Sequence, residues 1–421
     1  ATTEIYTLSL HDALPIYGRW DFVPVPVKNS IQEAIPMDVC ALIYNDPADL
    51  SCQAEILSRP ACSYLVTLAK AFGCQKVYLA GQACSSLDVP ALETDFSGEP
   101  SLFSQVEGAE QGLVFFESLP ALTRGTLGKL MEQSCGLLAD ENHHPMALYA
   151  PWDVLHRLSG RRITLVDELR ALGPMLTEVS LSPEDGCAIQ NGLDVYRCQE
   201  LLRQRINRAH MEAGVIIVDP TTTHISPDAL LESGSLIMPG CYIYGRSHIE
   251  ATAKVGPNAM IVDSVIGCGA SVNSSQVIES TIGAQTTVGP YAYIRPGCDV
   301  GEKVRIGDFV ELKKAKIGTG TKIAHLSYLG DIELGERCNV GGGVIVVNYD
   351  GKKKYKTIVG DDSFIGCNVN LISPVHLGDD TYISAGSTIT DDVPSQALAI
   401  ARARQVNKEE WVRRRREKGL L

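Results

Sequence analysis

The 421-residue sequence has no apolar run long enough to cross a bilayer, which argues against integral membrane association. It has no clear basic region or cleavage site of the kind that marks a targeting peptide. Its 13 cysteines are scattered. None forms a CxxC pair, and no Cys/His cluster has the spacing of a zinc site. These absences point to free thiols in a reducing cytoplasm and to no structural metal. Positive charge is also short. Lys and Arg number 37 against 50 Asp and Glu, for a formal net charge of -13 and a pI near 5.2. That balance leaves no general electrostatic footprint for nucleic acid. What remains is ordinary for a globular protein: 45% hydrophobic residues and a length sufficient for two domains.

The first sixteen residues, ATTEIYTLSLHDALPI, join abruptly to YGRWDFVPVPV and resemble translated adapter read-through, so residues 1–16 read as a non-native leader. Residues 17–175 read as an α/β domain. MDVCALIY (37–44) and KVYLAG (76–81) are strand candidates on either side of a helical stretch, SYLVTLAKAFG (63–73), that stops at Gly73. This order suggests a βαβ unit. GLVFFESLP (112–120) reads as a further strand and LTRGTLGKLMEQ (122–133) as a helix. A linker, 190–224, holds the clearest helix, 193–212, with an apolar stripe of Leu193, Tyr196, Leu201, Leu202 and Ile206.

The period then changes to six. Ile237, Ile243, Ile249, Val255 and Ile261 open a series that slips by one residue near Ile266 and Ile317 and ends at Ile383 and Ile389. Six is neither a helical nor an alternating-strand period. It means one short strand and one turn per repeat, with an aliphatic side chain always pointing inward. Gly follows the aliphatic residue at Gly283, Gly289, Gly307, Gly335, Gly341, Gly360, Gly366 and Gly378, where it is expected to ease the turn. Residues 225–395 are therefore predicted to be a β-helix of hexapeptide repeats, followed by a basic tail at 396–421. One insertion, NYDGKKKYKT (348–357), leaves the coil. A regular solenoid has few concave places, so this loop is a candidate site. Its lysines read either as a basic arm for phosphate or as a solubilising surface.

Several stretches are specific: RPG (295–297), VELKKA (310–315), AHLSYLGD (324–331), NVGGG (339–343), NYDGKKKYKT and ALAIARARQVNKEEW (397–411). Over about residues 190–415 the chain resembles the bacterial bifunctional N-acetylglucosamine-1-phosphate uridyltransferase/glucosamine-1-phosphate N-acetyltransferases. The resemblance implies that the β-helix is left-handed. It implies a cytoplasmic homotrimer whose active sites form between adjacent β-helices. It implies acetyl-CoA as donor, glucosamine 1-phosphate as acceptor, and a product used for UDP-N-acetylglucosamine and peptidoglycan.

The resemblance also assigns roles. His325 is the catalytic base, a task suited to imidazole, whose charge changes near neutral pH. Arg295, Lys313 and Lys354 match phosphate-binding positions. Tyr328, Asn339 and Asn348 match sugar-contacting positions, with Asn348 and Tyr349 near the acetyl group. Ala385 and Arg402 match acetyl-CoA contacts, as does Cys367, where the family usually has Ser. Cys is a weaker donor, so an effect on donor affinity is expected there. Rival classes are another acyltransferase of the same fold and a non-enzymatic hexapeptide scaffold.

The first domain departs from the family. Where a glycine-rich nucleotide loop is expected stands YNDPADLS (44–51), with Asp46, Pro47 and Asp49. Acidic groups repel phosphate and Pro removes a backbone donor. Glu55 stands at the expected Lys, and Glu117 or Ser118 at the expected metal-binding Asp. Residues 17–175 thus read as a degenerate, shortened nucleotidyltransferase-like domain, with Mg²⁺ as a cofactor only if it is active. A fully bifunctional enzyme is the alternative.

Overall fold

The computed structural model describes residues 39–45, 54–81, 91–92, 109–156, 169, 175–182 and 185–420, all within one compact unit, Pro36–Leu421. The leader and Asp46, Pro47 and Asp49 lie outside the described residues.

Strand β1 (Val39–Asn45) is apolar from Val39 to Ile43, and those five residues are essentially inaccessible. Such a run belongs in the middle of a parallel sheet. After the short hairpin β2 (Glu55–Ile56) and β3 (Arg59–Pro60), helix α1 (Ala61–Ala71) carries the chain back to β4 (Lys76–Gly81). β4 lies parallel to β1, with Cys40 opposite Lys76. This is the βαβ unit expected from the alternation of patterns. β5 (Ala91–Leu92) extends that edge. β6 (Gln111–Phe115) pairs parallel on the other side of β1, placing Ile43 opposite Phe115. Helix α2 (Arg124–Met131), β7 (Gly136–Ala139), β8 (Pro145–Pro151), helix α3 (Trp152–Leu155) and β9 (Thr177–Ser180) complete the domain. The seven-stranded sheet runs in the order β5-β4-β1-β6-β8-β7-β9, with only β8 antiparallel to its neighbours.

Helix α4 (Gly192–Glu212) starts at a capping box, in which Asn191 caps the Leu193 and Asp194 amides and Asp194 caps Asn191 in return. Its buried face differs from the predicted stripe. Leu193 and Tyr196 are 54% and 58% exposed, whereas Cys198, Leu202, Arg203 and Asn207 are buried. The reason is polar. Asn207 donates to the carbonyls of Pro220 and Thr223, and Arg203 to that of Pro220, so these side chains satisfy the chain leading into the first coil. On its other side Arg205 donates to the Ala121 carbonyl at 2.6 Å. The β2–β3 hairpin also reaches the coils, through an Arg59–Asp228 ion pair at 3.3 Å.

From Ile216–Ile217 to Leu398–Ala399 the chain winds into a three-sided parallel β-helix. This ladder takes in residues on both sides of the 225–395 span marked by the period. The three faces hold 11, 10 and 9 strands, here faces I, II and III. Each strand pairs with the strand one full coil onward, as Ile237 with Val255 and Ile243 with Ile261. The period-six aliphatics form one continuous core, with Ile237, Ile243, Ile249, Val255 and Ile261 all at 0% exposure.

Glycine has another reason than the expected one. Of the eight glycines after core aliphatics, only Gly289 has positive φ, 97°. Most of the others are small because the next coil passes against them. A Cβ on Gly366 would lie 2.5 Å from the Ala385 nitrogen, and one on Gly283 2.5 Å from the Gly301 carbonyl carbon. Many left-handed corner positions are held by other residues, including Asn258, Asp263, Asp331 and Asn368. Gly366→Ala is therefore expected to destabilise the protein by about 1–3 kcal/mol, because the clash is with backbone that cannot rotate away. Gly192→Ala, whose Cβ meets nothing within 4 Å, is the control. Thermal unfolding of the two variants checks this; equal midpoints would refute it.

Candidate active site

The predicted site residues gather mainly around face II. Register places Tyr293, Glu311, Tyr328 and Ile345 in one outward column. The next positions along the strands, Arg295, Lys313 and Gly330, stand beside it, with Lys313 directly opposite Gly330. The insertion leaves the coil at the end of this face, after Ile345–Val347, and returns as Thr357–Val359 of face III.

The insertion is held by its own polar groups. The Asp350 carboxylate accepts from the Lys352 and Lys353 amides at 2.8 Å each and from the Tyr355 hydroxyl at 2.9 Å. These hydrogen bonds hold its carboxyl below the usual range. Tyr349 and Lys354 form an isolated bridge, and the Tyr349 hydroxyl donates to the Gly351 carbonyl at 2.7 Å. Tyr349 itself is 55% exposed. Lys356 pairs with Glu333 and Lys353 lies over the Tyr355 ring, so these two lysines serve the loop. Lys354 turns elsewhere.

Lys354 meets Lys313. The neighbouring ammonium of Lys313 holds Lys354 below its ordinary range, while Lys313, with Lys354 and the Asp331 carboxylate beside it, is held above its own. Arg295 is near enough to act on Lys313 and is itself paired with Glu311 at 2.8 Å. Asp331 lies 3.6 Å from the Lys313 nitrogen and 2.5 Å from the Asn348 amide nitrogen. Lys313 and Lys354 thus share the Asp331 carboxylate, while Arg295 beside them is paired with Glu311. An incoming phosphate would relieve their mutual repulsion, which is what an anion site requires.

Tyr328 and Asn348 both press on Gly330. A Cβ there would lie 2.4 Å from the Tyr328 oxygen and 2.8 Å from the Asn348 amide nitrogen. Face II therefore carries a phenol and an amide immediately beside the cations.

His325 stands in the turn between faces I and II, on the same coil as Tyr328. Its exposed ring lies against Gly342, where a Cβ would come within 2.8 Å of Nε2. The residues matched to acetyl-CoA continue along this corner, coil by coil. The Gly343 amide donates to the His325 carbonyl, Asn368 to Gly342, and Gly386 to Cys367. Cys367 and Ala385 are exposed, and Arg402 reaches Ser384 Oγ at 3.4 Å. The corner is an axial track that starts at an imidazole and ends at a guanidinium.

Asn339 is not part of the cation cluster. It pairs with Lys322 and Phe364 on face I. The sequence reading missed Asp331, Glu311 and Gly342, although all three lie inside the quoted motifs. No spacing rule singles out a carboxylate in a phosphate site.

A family model for bacterial transferase hexapeptide repeats matches residues 279–314 and 356–391. The fold is the left-handed parallel β-helix of the hexapeptide-repeat acyltransferases. About three fifths of the chain is homologous to bacterial bifunctional GlmU proteins. The "Bifunctional protein GlmU" of Clostridium acetobutylicum is 50% identical over 249 residues, 59% of this chain and 54% of that protein. That of Clostridium perfringens is 50% identical over 254 residues, 60% of this chain and 55% of that protein. The chain spans about half the length of the curated relatives it matches. Among solved structures, a UDP-N-acetylglucosamine acyltransferase of Francisella novicida is 17% identical, with a TM-score of 0.32, over 44% of this chain and 67% of that one.

Proposed function

We propose that this protein transfers the acetyl group of acetyl-CoA to the amine of glucosamine 1-phosphate, giving N-acetylglucosamine 1-phosphate. The observation that carries this reading is the gathering of Lys313, 3.6 Å from Asp331, and of Asn348 of the insertion, 2.5 Å from the same carboxylate, beside the strand that follows His325, with Lys354 and Arg295 near Lys313. A scaffold has no use for cations held against one another. The resemblance of the quoted motifs to the acetyltransferase half of the bifunctional enzymes supports the choice of acceptor.

In this reading the phosphate rests on Arg295, Lys313 and Lys354, and the sugar lies over Tyr328 with Asn348 beside it. The CoA arm follows the corner past Cys367 and Ala385, with Arg402 available to its phosphates. The amine nitrogen attacks the thioester carbonyl carbon. His325 takes a proton from that nitrogen as the C–N bond forms. The tetrahedral intermediate collapses with cleavage of the C–S bond, and the proton passes to the departing sulfur. Preorganised donors near Tyr349 would hold the oxyanion. Asn339, on face I, acts in this reading from an adjacent copy. Eleven cysteines are free among the described residues, with Cys268 and Cys367 exposed, which suits a reducing cytoplasm. Release of free CoA with acetyl-CoA and glucosamine 1-phosphate tests the reaction; an inert protein would refute it.

We further propose a homotrimer. Tyr291, Phe309 and Leu326 occupy left-handed corner positions on three successive coils and are 62%, 55% and 60% exposed. Tyr291 and Phe309 stack at 5.4 Å. Bulky residues with positive φ each cost about 1–3 kcal/mol. An apolar ridge built at that cost beside His325 calls for a covering surface, and a closed ring of copies supplies one. Light scattering is expected to give three times the chain mass; a monomer with full acetyl transfer would overturn this.

A further inference from the structure

We propose that Asp331 is a positioning residue that fixes the amide of Asn348 so that its Oδ1 accepts a hydrogen bond from the attacking amine. This rests on the acetyl-transfer reading above and extends it to a residue outside the assigned site. Asp331 follows Gly330 at the corner where face II ends, with φ of 51°. Its backbone is fixed on both sides: its amide donates to the Lys313 carbonyl at 2.8 Å, and its carbonyl accepts from Thr357 at 3.1 Å. Its side chain is 18% exposed and that of Lys313 13%, so the pair sits largely out of water. Asn348 is 6% exposed, and its carbonyl accepts from the Tyr355 amide at 2.9 Å, which anchors the base of the insertion.

Asn348 has two chemically opposite ends. An ionised carboxylate only accepts hydrogen bonds, so the end that faces Asp331 at 2.5 Å is the NH₂. The carbonyl oxygen is then turned away from Asp331. This matters for an amine nucleophile. Its lone pair must stay free for the thioester, and its N–H groups must be held by acceptors. A reversed Asn348 would aim a donor at the nitrogen and compete for that lone pair. With a neutral group at 331 the amide has no reason to choose, because an Asn side chain there can meet either end. The same carboxylate offsets Lys313, so its removal leaves the phosphate grip more positive.

The test compares wild-type protein, Asp331→Asn and the double exchange Asp331→Asn/Asn348→Asp, by steady-state kinetics with acetyl-CoA and glucosamine 1-phosphate. Asn is isosteric with Asp and tolerates positive φ, so Asp331→Asn keeps the fold. Its kcat is expected to fall roughly 10- to 100-fold, as for a misaligned reactant. Its KM for the sugar phosphate is expected to stay level or fall. The exchange restores an obligatory acceptor at position 348 and should recover at least about tenfold of the lost kcat. A merely structural Asp331 predicts a different pattern: a lower thermal midpoint, a raised KM and no recovery in the exchange. That pattern, or a kcat for Asp331→Asn within twofold of wild type, overturns the proposal alone. Wild-type protein that releases no CoA overturns the proposal together with the acceptor reading.

Discussion

His325→Ala is expected to lower kcat for acetyl transfer by roughly 10²–10⁴-fold, the range for a lost acid–base group, with the fold intact. The separation of the two effects follows from how His325 is built into its turn. The corner is tied by backbone groups: the His325 carbonyl accepts from the Gly343 amide at 3.0 Å and from the Ser327 hydroxyl at 3.3 Å. Alanine keeps both bonds. The ring is exposed and rests on Gly342, whose missing side chain leaves room for it. Removing the ring therefore opens no cavity in the aliphatic core. What disappears is the group proposed to take the proton from the amine as the C–N bond forms. Lys313→Ala should behave differently. In the proposed reading that charge holds phosphate before and during the reaction alike, so KM for the sugar phosphate should rise more than kcat falls. Steady-state kinetics on the two variants, with thermal unfolding alongside, provide the check. Turnover of His325→Ala within a few-fold of wild type would remove the imidazole from the mechanism.

The sequence reveals the stack because one aliphatic side chain must enter the core at each turn, and Ile237, Ile243 and Ile249 do so at 0% exposure. It conceals what depends on neighbouring coils. The glycines at 283 and 366 look like turn residues, yet the constraint on each comes from backbone one coil away. The stripe on the linker helix looks apolar, yet Arg203 and Asn207 are the side chains that meet the first coil. The site shows the same division. Arg295, Lys313, Tyr328, Asn348 and Lys354 carry recognisable chemistry; register brings the first three together and the insertion adds the other two. Asp331 carries charge of the wrong sign for a phosphate site. Its use appears only when Lys313 is seen opposite Gly330 and the insertion returns Asn348 to the same place. In the α/β domain, the strand order β5-β4-β1-β6-β8-β7-β9 has no signature in local pattern. It is set by which apolar strands bury one another.

That strand order bears on the second large prediction: the protein is expected not to join UTP to N-acetylglucosamine 1-phosphate. In open α/β sheets, ligands bind outside the carboxyl ends of parallel strands. β1 and β6 are parallel neighbours, with Ile43 opposite Phe115, so the chain leaves both at the same edge. After β1 the sequence supplies Asp46, Pro47 and Asp49; after β6 it supplies Glu117 and Ser118. Uridyl transfer expels pyrophosphate and concentrates negative charge at one point, so it calls for backbone amides, a cation and Mg²⁺. In sequence, the residues that follow these two strands are carboxylates, a proline and a serine instead. Where the family's metal-binding Asp is expected, Ser118 is one of the two candidates; it is 3% exposed and its hydroxyl has no hydrogen-bond partner among the described residues. Among the described residues no group of three or more His, Cys, Asp or Glu side chains is placed to hold a metal ion. Glu55, at the expected Lys, is an exposed residue of the β2–β3 hairpin, where it lies opposite Pro60. Neighbouring Arg59 of the same hairpin pairs with Asp228 of the coils. That pairing ties the hairpin to the coils through groups that nucleotide chemistry does not need. The deciding measurement is pyrophosphate release by the full chain with UTP, N-acetylglucosamine 1-phosphate and Mg²⁺. The acetyl-transfer assay on the same preparation shows that the protein is folded. Acetyl transfer without pyrophosphate release is the expected result. Turnover of about 1 s⁻¹ or faster, within the ordinary range of enzymes, would restore the bifunctional reading.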